Sequence, residues 1–184
     1  MKTTIHDDNR GSHTKFFTRA SADAYGFNDV TEVFMTTNRK GTLRGLHRQF
    51  GEGVTQQKIV KPISGKFNVK VVFPLNELTE ETFRQNLTKV VEQIDLWPDY
   101  VVLNFYNQDI NSDPIAVPAG AYLGYVSLED DSRMLYIGDN NFNSEADDGR
   151  DPFSLELDWG YDGEFILSER DAHAPQLISK EDSD

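Results

Sequence analysis

Apolar and polar positions along this chain come in short bursts separated by turn formers. Lys58-Ile-Val-Lys-Pro62 and Phe67-Asn-Val-Lys-Val-Val-Phe73 flank Ser64-Gly65, a pattern that predicts a hairpin. Tyr100 to Tyr106 reads as a further strand. Asp113 to Gly120 leads through a Pro/Gly turn into the strand Tyr122 to Leu128, and Ser132 to Ile137 and Ser154 to Leu157 complete the set. Strands this frequent predict an all-β sandwich or barrel. One stretch departs from the pattern. Thr79 can cap a helix, Glu80 and Glu81 suit its first turn, and Phe83, Leu87, Val90, Val91 and Ile94 recur at helical spacing. Residues 79 to 94 are therefore expected to form an amphipathic helix, inside an insertion spanning 76 to 99, with its apolar stripe closing over the core. The first 30 residues read as a polar arm and Ile178 to Asp184 as a frayed tail.

The chain has 184 residues, which suits one domain. The absence of cysteine excludes disulfides, cysteine nucleophiles and thiolate metal sites. A net charge of −13 argues against nucleic acid or an anionic membrane as the main partner. The apolar runs are too short to cross a bilayer, and the polar N-terminus lacks the apolar core of a secretory leader, so a cytoplasmic protein is expected. The charge is unevenly placed. Arg39 to Phe73 holds eight Lys/Arg and one acid, Glu52, whereas Glu129 to Asp184 holds 17 acids and four bases. The basic stretch reads either as a face paired with the acidic C-terminal third or as an anion pocket, for example for a diphosphate.

Four histidines are available for neutral-pH proton transfer: His6, His13, His47 and His173. His6 and His13 lie in the polar arm. His47 lies in Gly41-Thr-Leu-Arg-Gly-Leu-His-Arg-Gln49, where strand alternation puts Leu43 and Gly45 on its side. A lone histidine on a strand is more often structural than catalytic. There is no P-loop and no dinucleotide-binding glycine pattern after a strand. Gly51-Glu-Gly53 reads as a loop, and Leu167 to Pro175 as a surface turn.

Taken in order, several segments resemble the dTDP-4-dehydrorhamnose 3,5-epimerase family. Leu43-Arg-Gly-Leu-His47-Arg-Gln49 is similar to its Leu-Arg-Gly-Leu-His-x-Gln signature. Asp8-Asn-Arg-Gly11, Gln57-Lys58-Ile-Val60, Ile63-Ser-Gly65-Lys-Phe67-Asn-Val69, Val117-Pro-Ala-Gly120, Met134-Leu-Tyr136 and Leu167-Ser-x-x-Asp171 resemble its other motifs. The resemblance implies a cupin jelly-roll β-barrel, a homodimer and a nucleotide-diphosphate keto sugar as substrate. It implies no metal or dissociable cofactor. It also implies roles: His47 as base, Asp171 as its carboxylate partner, Tyr136 as acid on the opposite sugar face, and Lys58 beside the enolate. Arg44 and Gln49 would contact substrate, and Arg10 would reach the diphosphate of a neighbouring subunit.

The chemistry explains these residue types. A proton beside a ketone is far less acidic than imidazolium, so a histidine needs a cation such as Lys58 at the developing enolate oxygen. A carboxylate fixes the imidazole tautomer and stabilises its charged form. Inversion needs a proton from the other face, which a tyrosine can deliver. Metal-binding cupins commonly carry a second histidine two positions after the first, and here that residue is Gln49. The sequence departs from the family at four points. The expected helical insertion near Thr79 to Ile94 replaces a short turn with a Pro-Thr-Phe-Gly pattern. Leu123 replaces a histidine after the Pro-x-Gly turn, Lys15 replaces a glutamate, and Glu32-Val-Phe34-Met35 replaces a polar segment. These departures touch substrate contacts more than the proton-transfer set. They keep open a ketoisomerase, a heptose epimerase or a non-catalytic sugar-nucleotide binder.

Overall fold

The computed structural model describes residues 4–24, 26–27, 29–77 and 93–177. An N-terminal hairpin, β1 (Thr4–Asp8) with β2 (Gly11–Lys15), forms its own two-stranded sheet, followed by a short helix, α1 (Arg19–Ala24). Ten further strands follow: β3 (Glu32–Asn38), β4 (Leu43–Gln49), β5 (Lys58–Ser64), β6 (Phe67–Pro74), β7 (Gln93–Leu96), β8 (Tyr100–Gln108), β9 (Ile115–Val117), β10 (Tyr122–Ser127), β11 (Ser132–Gly138) and β12 (Asp147–Gly149). A one-turn helix, α2 (Glu169–Ala172), closes the described chain.

The ten strands form two antiparallel sheets, ordered β12-β4-β10-β6-β8-β7 and β3-β11-β5-β9. From β3 to β6, and again from β8 to β12, each successive strand crosses to the other sheet. This alternation makes the fold a jelly roll, the all-β barrel expected from the strand pattern. The inner faces meet in one core that includes Val60, Phe67, Val69, Val71, Leu103, Leu123 and Met134. Burying each such side chain stabilises the fold by roughly 1.5–3 kcal/mol before ordering costs.

Both outer faces are also covered. Phe27 packs with Ile59 and Ile137 outside the four-stranded sheet. Leu157, Trp159 and Leu177 pack with Leu43, Leu46, Val72 and Val126 outside the six-stranded sheet. This double covering explains why all eight residues of β6 are buried.

Three expectations change. The segments flanking Ser64-Gly65 are not a hairpin, because β5 pairs with β11 and β9, and β6 with β10 and β8. Val60 and Phe67 belong to the same core and face each other across the sandwich, so the turn carries the chain from one sheet to the other. Residues 154 to 157 are not a strand. Ser154–Glu156 is a 3-10 turn with positive φ at Leu155 and Glu156, and the segment lies across a sheet as its cover. The expected helix over 79 to 94 falls almost wholly outside the described residues. Its last two positions, Gln93 and Ile94, open β7. The tail from Ile178 also lies outside them. No helix among the described residues is long and apolar enough to cross a membrane.

Candidate active site

One irregularity builds the site. Strand β4 pairs with β10 as Leu43 to Val126, Arg44 to Tyr125, and then His47 to Leu123, so Gly45 and Leu46 together oppose Gly124. An extra residue in a strand reverses its alternation from that point on. Arg44 and His47, three residues apart, therefore both line one cavity, while Leu43 and Leu46 both pack into the outer cluster. Regular alternation, which put Leu43 on the side of His47, gives the wrong face. Gly45 is required at the bulge. Its φ is 113°, and a Cβ there would lie 2.5 Å from the Leu123 carbonyl oxygen.

The cavity holds about 190 Å³. Phe34, Lys58, Tyr125, Tyr136, Phe142, Asp147 and Arg170 line it together with Arg44 and His47. His47 Nε2 meets Asp171 Oδ1 at 2.7 Å, although the two residues are 124 positions apart. The segment expected as a surface turn is the short helix α2. Ser168 caps it and accepts the Asp171 backbone N–H at 3.1 Å. Asp171 is 4% exposed. Burial alone would raise its carboxyl. The His47 side chain, the Gly45 amide and the Ser168 hydroxyl outweigh burial and hold the carboxyl below its ordinary value. With Nε2 engaged, Nδ1 of His47 has no hydrogen-bond partner among the described residues.

Tyr136 lies on β11, with its ring stacked on Phe34 at 4.4 Å between centroids. Burial pushes its hydroxyl well above the ordinary tyrosine value, and the neighbouring Tyr125 adds to the rise, so the group stays protonated. Tyr125 in turn shares a 2.8 Å hydrogen bond with Thr36. Lys58, at the start of β5, is pulled below the ordinary lysine value by burial, against the opposing charges of Asp147 and Glu32. Arg44 donates to buried Asn38 at 2.8 Å and is otherwise open to the cavity mouth.

Two predicted residues stand apart. Gln49 lines the cavity, but its amide is committed to the loop beside it. It donates to the carbonyls of Val54 (2.5 Å) and Asn141 (2.9 Å) and accepts from the Asn143 amide (2.7 Å). Arg10 is outside the cavity of its own chain, on the exposed β1–β2 turn, where it pairs with Asp8 at 2.6 Å. Sequence reasoning missed Asp147, Arg170 and Phe142, whereas Phe34 lies in the segment Glu32–Met35 that it marked as a departure at the substrate contacts. The only available signal was the position of Arg170 beside Asp171. Among the described residues no three or more His, Asp or Glu cluster closely enough to hold a metal ion.

Known proteins resemble this chain along most of its length. The family model described as dTDP-4-dehydrorhamnose 3,5-epimerase matches residues 1–88. A dTDP-4-dehydrorhamnose 3,5-epimerase of Mycobacterium tuberculosis is 31% identical over 182 residues, covering 95% of this chain and 80% of the relative. A dTDP-4-dehydro-6-deoxyglucose 3-epimerase of Streptomyces bikiniensis is 26% identical over 186 residues, covering 98% and 85%. Among solved structures, the rmlC epimerase of M. tuberculosis superposes with a TM-score of 0.71 at 26% identity, covering 96% of this chain and 82% of that one.

Proposed function

Because this chain belongs to the dTDP-4-dehydrorhamnose 3,5-epimerase family, we propose that it inverts carbon 3, carbon 5 or both in a nucleotide-linked 4-keto sugar. His47 takes the proton beside the ketone on Nδ1, with Asp171 holding Nε2 and stabilising the imidazolium. The electron pair of the broken C–H bond moves onto the ketone oxygen, and Lys58 stabilises the enolate there. Tyr136 gives a proton to the opposite face, and both groups recover their protonation states through solvent. Arg44 holds the diphosphate.

The observation that carries this reading is the 2.7 Å His47–Asp171 contact on a cavity that also presents Lys58 and protonated Tyr136. A non-catalytic binder has no use for a base, its carboxylate and an acid together. The substrate class rests on the relatives, which act on dTDP-linked sugars by name. A homodimer is part of the proposal, with Arg10 of the hairpin reaching the partner's cavity. A cytoplasmic location fits a nucleotide-sugar enzyme of this kind.

The test is solvent exchange. Incubated in deuterium oxide with dTDP-4-keto-6-deoxyglucose and a panel of other 4-keto sugar nucleotides, the protein should incorporate deuterium next to the ketone. His47→Asn should abolish incorporation and leave nucleotide affinity within about twofold. Full exchange by His47→Asn would remove the histidine from the mechanism. Binding without exchange by the unaltered protein would favour the binder.

A further inference from the structure

Strand β12 has the sequence Asp147-Asp148-Gly149, and no motif reading singles it out. It adds to the edge of β4 with Asp147 opposite Gln49, Asp148 opposite Arg48 and Gly149 opposite His47. Alternation sends its two carboxylates to opposite faces. Asp148 turns away from the cavity, where it binds Arg48 and Arg150, each at 2.9 Å, and accepts the Tyr122 hydroxyl at 2.6 Å. Asp147 lines the cavity, where its Oδ2 meets Arg170 Nη1 at 2.7 Å. Gly149 makes room for that guanidinium, since a Cβ there would lie 2.9 Å from Arg170 Nη2. The guanidinium is thus laid across β12 next to His47, one residue along the chain from Asp171.

The cavity wall carries three cations, Arg44, Lys58 and Arg170, and Asp147 is the carboxylate that lines it with them. We propose that Asp147 is a positioning residue of the epimerase site, which pins Arg170 beside the His47–Asp171 pair and supplies the negative charge that allows Arg170 and Lys58 to share one cavity. The proposal deepens the epimerase reading and rests on it. Arg170 and Asp171 share one turn of α2, so a guanidinium held by β12 also fixes where that turn presents its carboxylate to His47. Around Lys58 the charged and titratable groups are Asp147 from β12, Glu32 from β3, Arg170 from α2, His47 and Arg44 from β4, Tyr125 from β10 and Tyr136 from β11. Asp147 and Glu32 favour its charged form, while Arg170 and burial oppose it.

Removing the Asp147 charge leaves Arg170 unopposed, so Lys58 loses its proton at lower pH. Removing Arg170 as well partly offsets the change, because Arg170 acts on Lys58 less strongly than Asp147 does. Asp147→Asn is expected to reduce the exchange rate on the order of tenfold, with little change in KM, through loss of alignment. It should also move the alkaline limb of the pH–rate profile to lower pH. Asp147→Asn with Arg170→Gln should move that limb part of the way back. A merely structural role for Asp147 would lower activity without moving the limb.

A second readout does not depend on turnover. Reductive methylation with 13C-formaldehyde makes each lysine visible by NMR, and the Lys58 resonance is assigned by its loss in Lys58→Arg. Its titration midpoint should fall in Asp147→Asn and recover in part in the double variant. Unchanged midpoints would overturn the proposal. If the unaltered protein exchanged no keto-sugar proton, the epimerase reading would fail, and the Lys58 titration would still decide whether Asp147 sets the charge balance.

Discussion

At the scale of single residues, two features of the site make opposite demands on Asp171. It is nearly excluded from solvent, which disfavours its charge, yet His47, the Gly45 amide and Ser168 hold it ionised. A carboxyl held below its ordinary value stabilises the fold above that value. The stabilisation disappears as pH falls through the lowered one. Asp171→Asn should therefore reduce stability at neutral pH, and urea denaturation should show the difference from the unaltered protein shrinking under strongly acidic conditions. An unchanging difference from pH 7 to pH 2 would mean the ionised carboxylate contributes nothing. Gly45 is the second feature. Gly45→Ala adds a methyl against the Leu123 carbonyl at a positive φ and should cost about 1–3 kcal/mol in denaturation. It should also abolish exchange, because the bulge that turns His47 into the cavity would have to rearrange.

At the scale of elements, hydrophobic pattern and turn formers locate β5, β6, β8, β10 and β11, because burial of alternate or continuous apolar residues is a local property. By contrast, β1 and β2 read as a polar arm and the start of β7 as the end of a helix. The pattern did not reveal which sheet a strand joins. Ser64-Gly65 signals a reversal whether the next strand lies beside the last or across the core from it. The bulge was equally hidden, since it depends on how closely Gly45 approaches β10. His47 and Asp171 were legible as a pair only through their motifs, because no local pattern links residues on β4 and α2. The Leu-Ser-x-x-Asp motif does have a local reading in retrospect: Ser168 is the cap of α2 and Asp171 lies in its first turn. Strand β12 gave no signal because its three polar residues look like loop. The segment from Ser154 to Leu177 both covers the six-stranded sheet and carries Asp171. Trp159 is 2% exposed and donates its indole N–H to the Pro152 carbonyl at 2.9 Å. Trp159→Ala should cost about 3–5 kcal/mol. Exchange should be lost at a lower denaturant concentration than in the unaltered protein, because the cover and the carboxylate belong to one segment.

At the scale of the whole molecule, the basic stretch from Arg39 to Phe73 has several uses. Arg48 and Lys66 pair with Asp148 and Glu129 of the acidic C-terminal third. Lys61 and Lys70 are buried, the first on the carbonyls of Asp109, Ile110 and Ser112, the second on Asn104. Arg44 and Lys58 line the cavity. The paired-face reading therefore holds for Arg48 and Lys66, and the anion-pocket reading is part of the proposal for Arg44.

One exposed apolar feature is β3, an edge strand of the four-stranded sheet. Val33 and Met35 are 59% and 47% exposed on it, and Val30 just before it is 44% exposed. An exposed apolar edge invites pairing with another chain. Val33 lies opposite Ile137, on the sheet's outer face, whereas Phe34, opposite Tyr136, faces the cavity. The proposed dimer would cover this edge and bring the β1–β2 hairpin of one subunit toward the cavity of the other. Val33→Glu should then yield monomers by sedimentation velocity without unfolding, because the change is on an exposed position. If Arg10 reaches the partner's diphosphate, those monomers should bind dTDP on the order of tenfold more weakly by calorimetry, the scale of one lost charge-assisted contact. Arg10→Ala in the unaltered dimer should reproduce the weaker binding without dissociation. A Val33→Glu protein that remained dimeric would place the interface elsewhere. Monomers that bound dTDP as tightly as the dimer would show that each cavity is complete within its own chain.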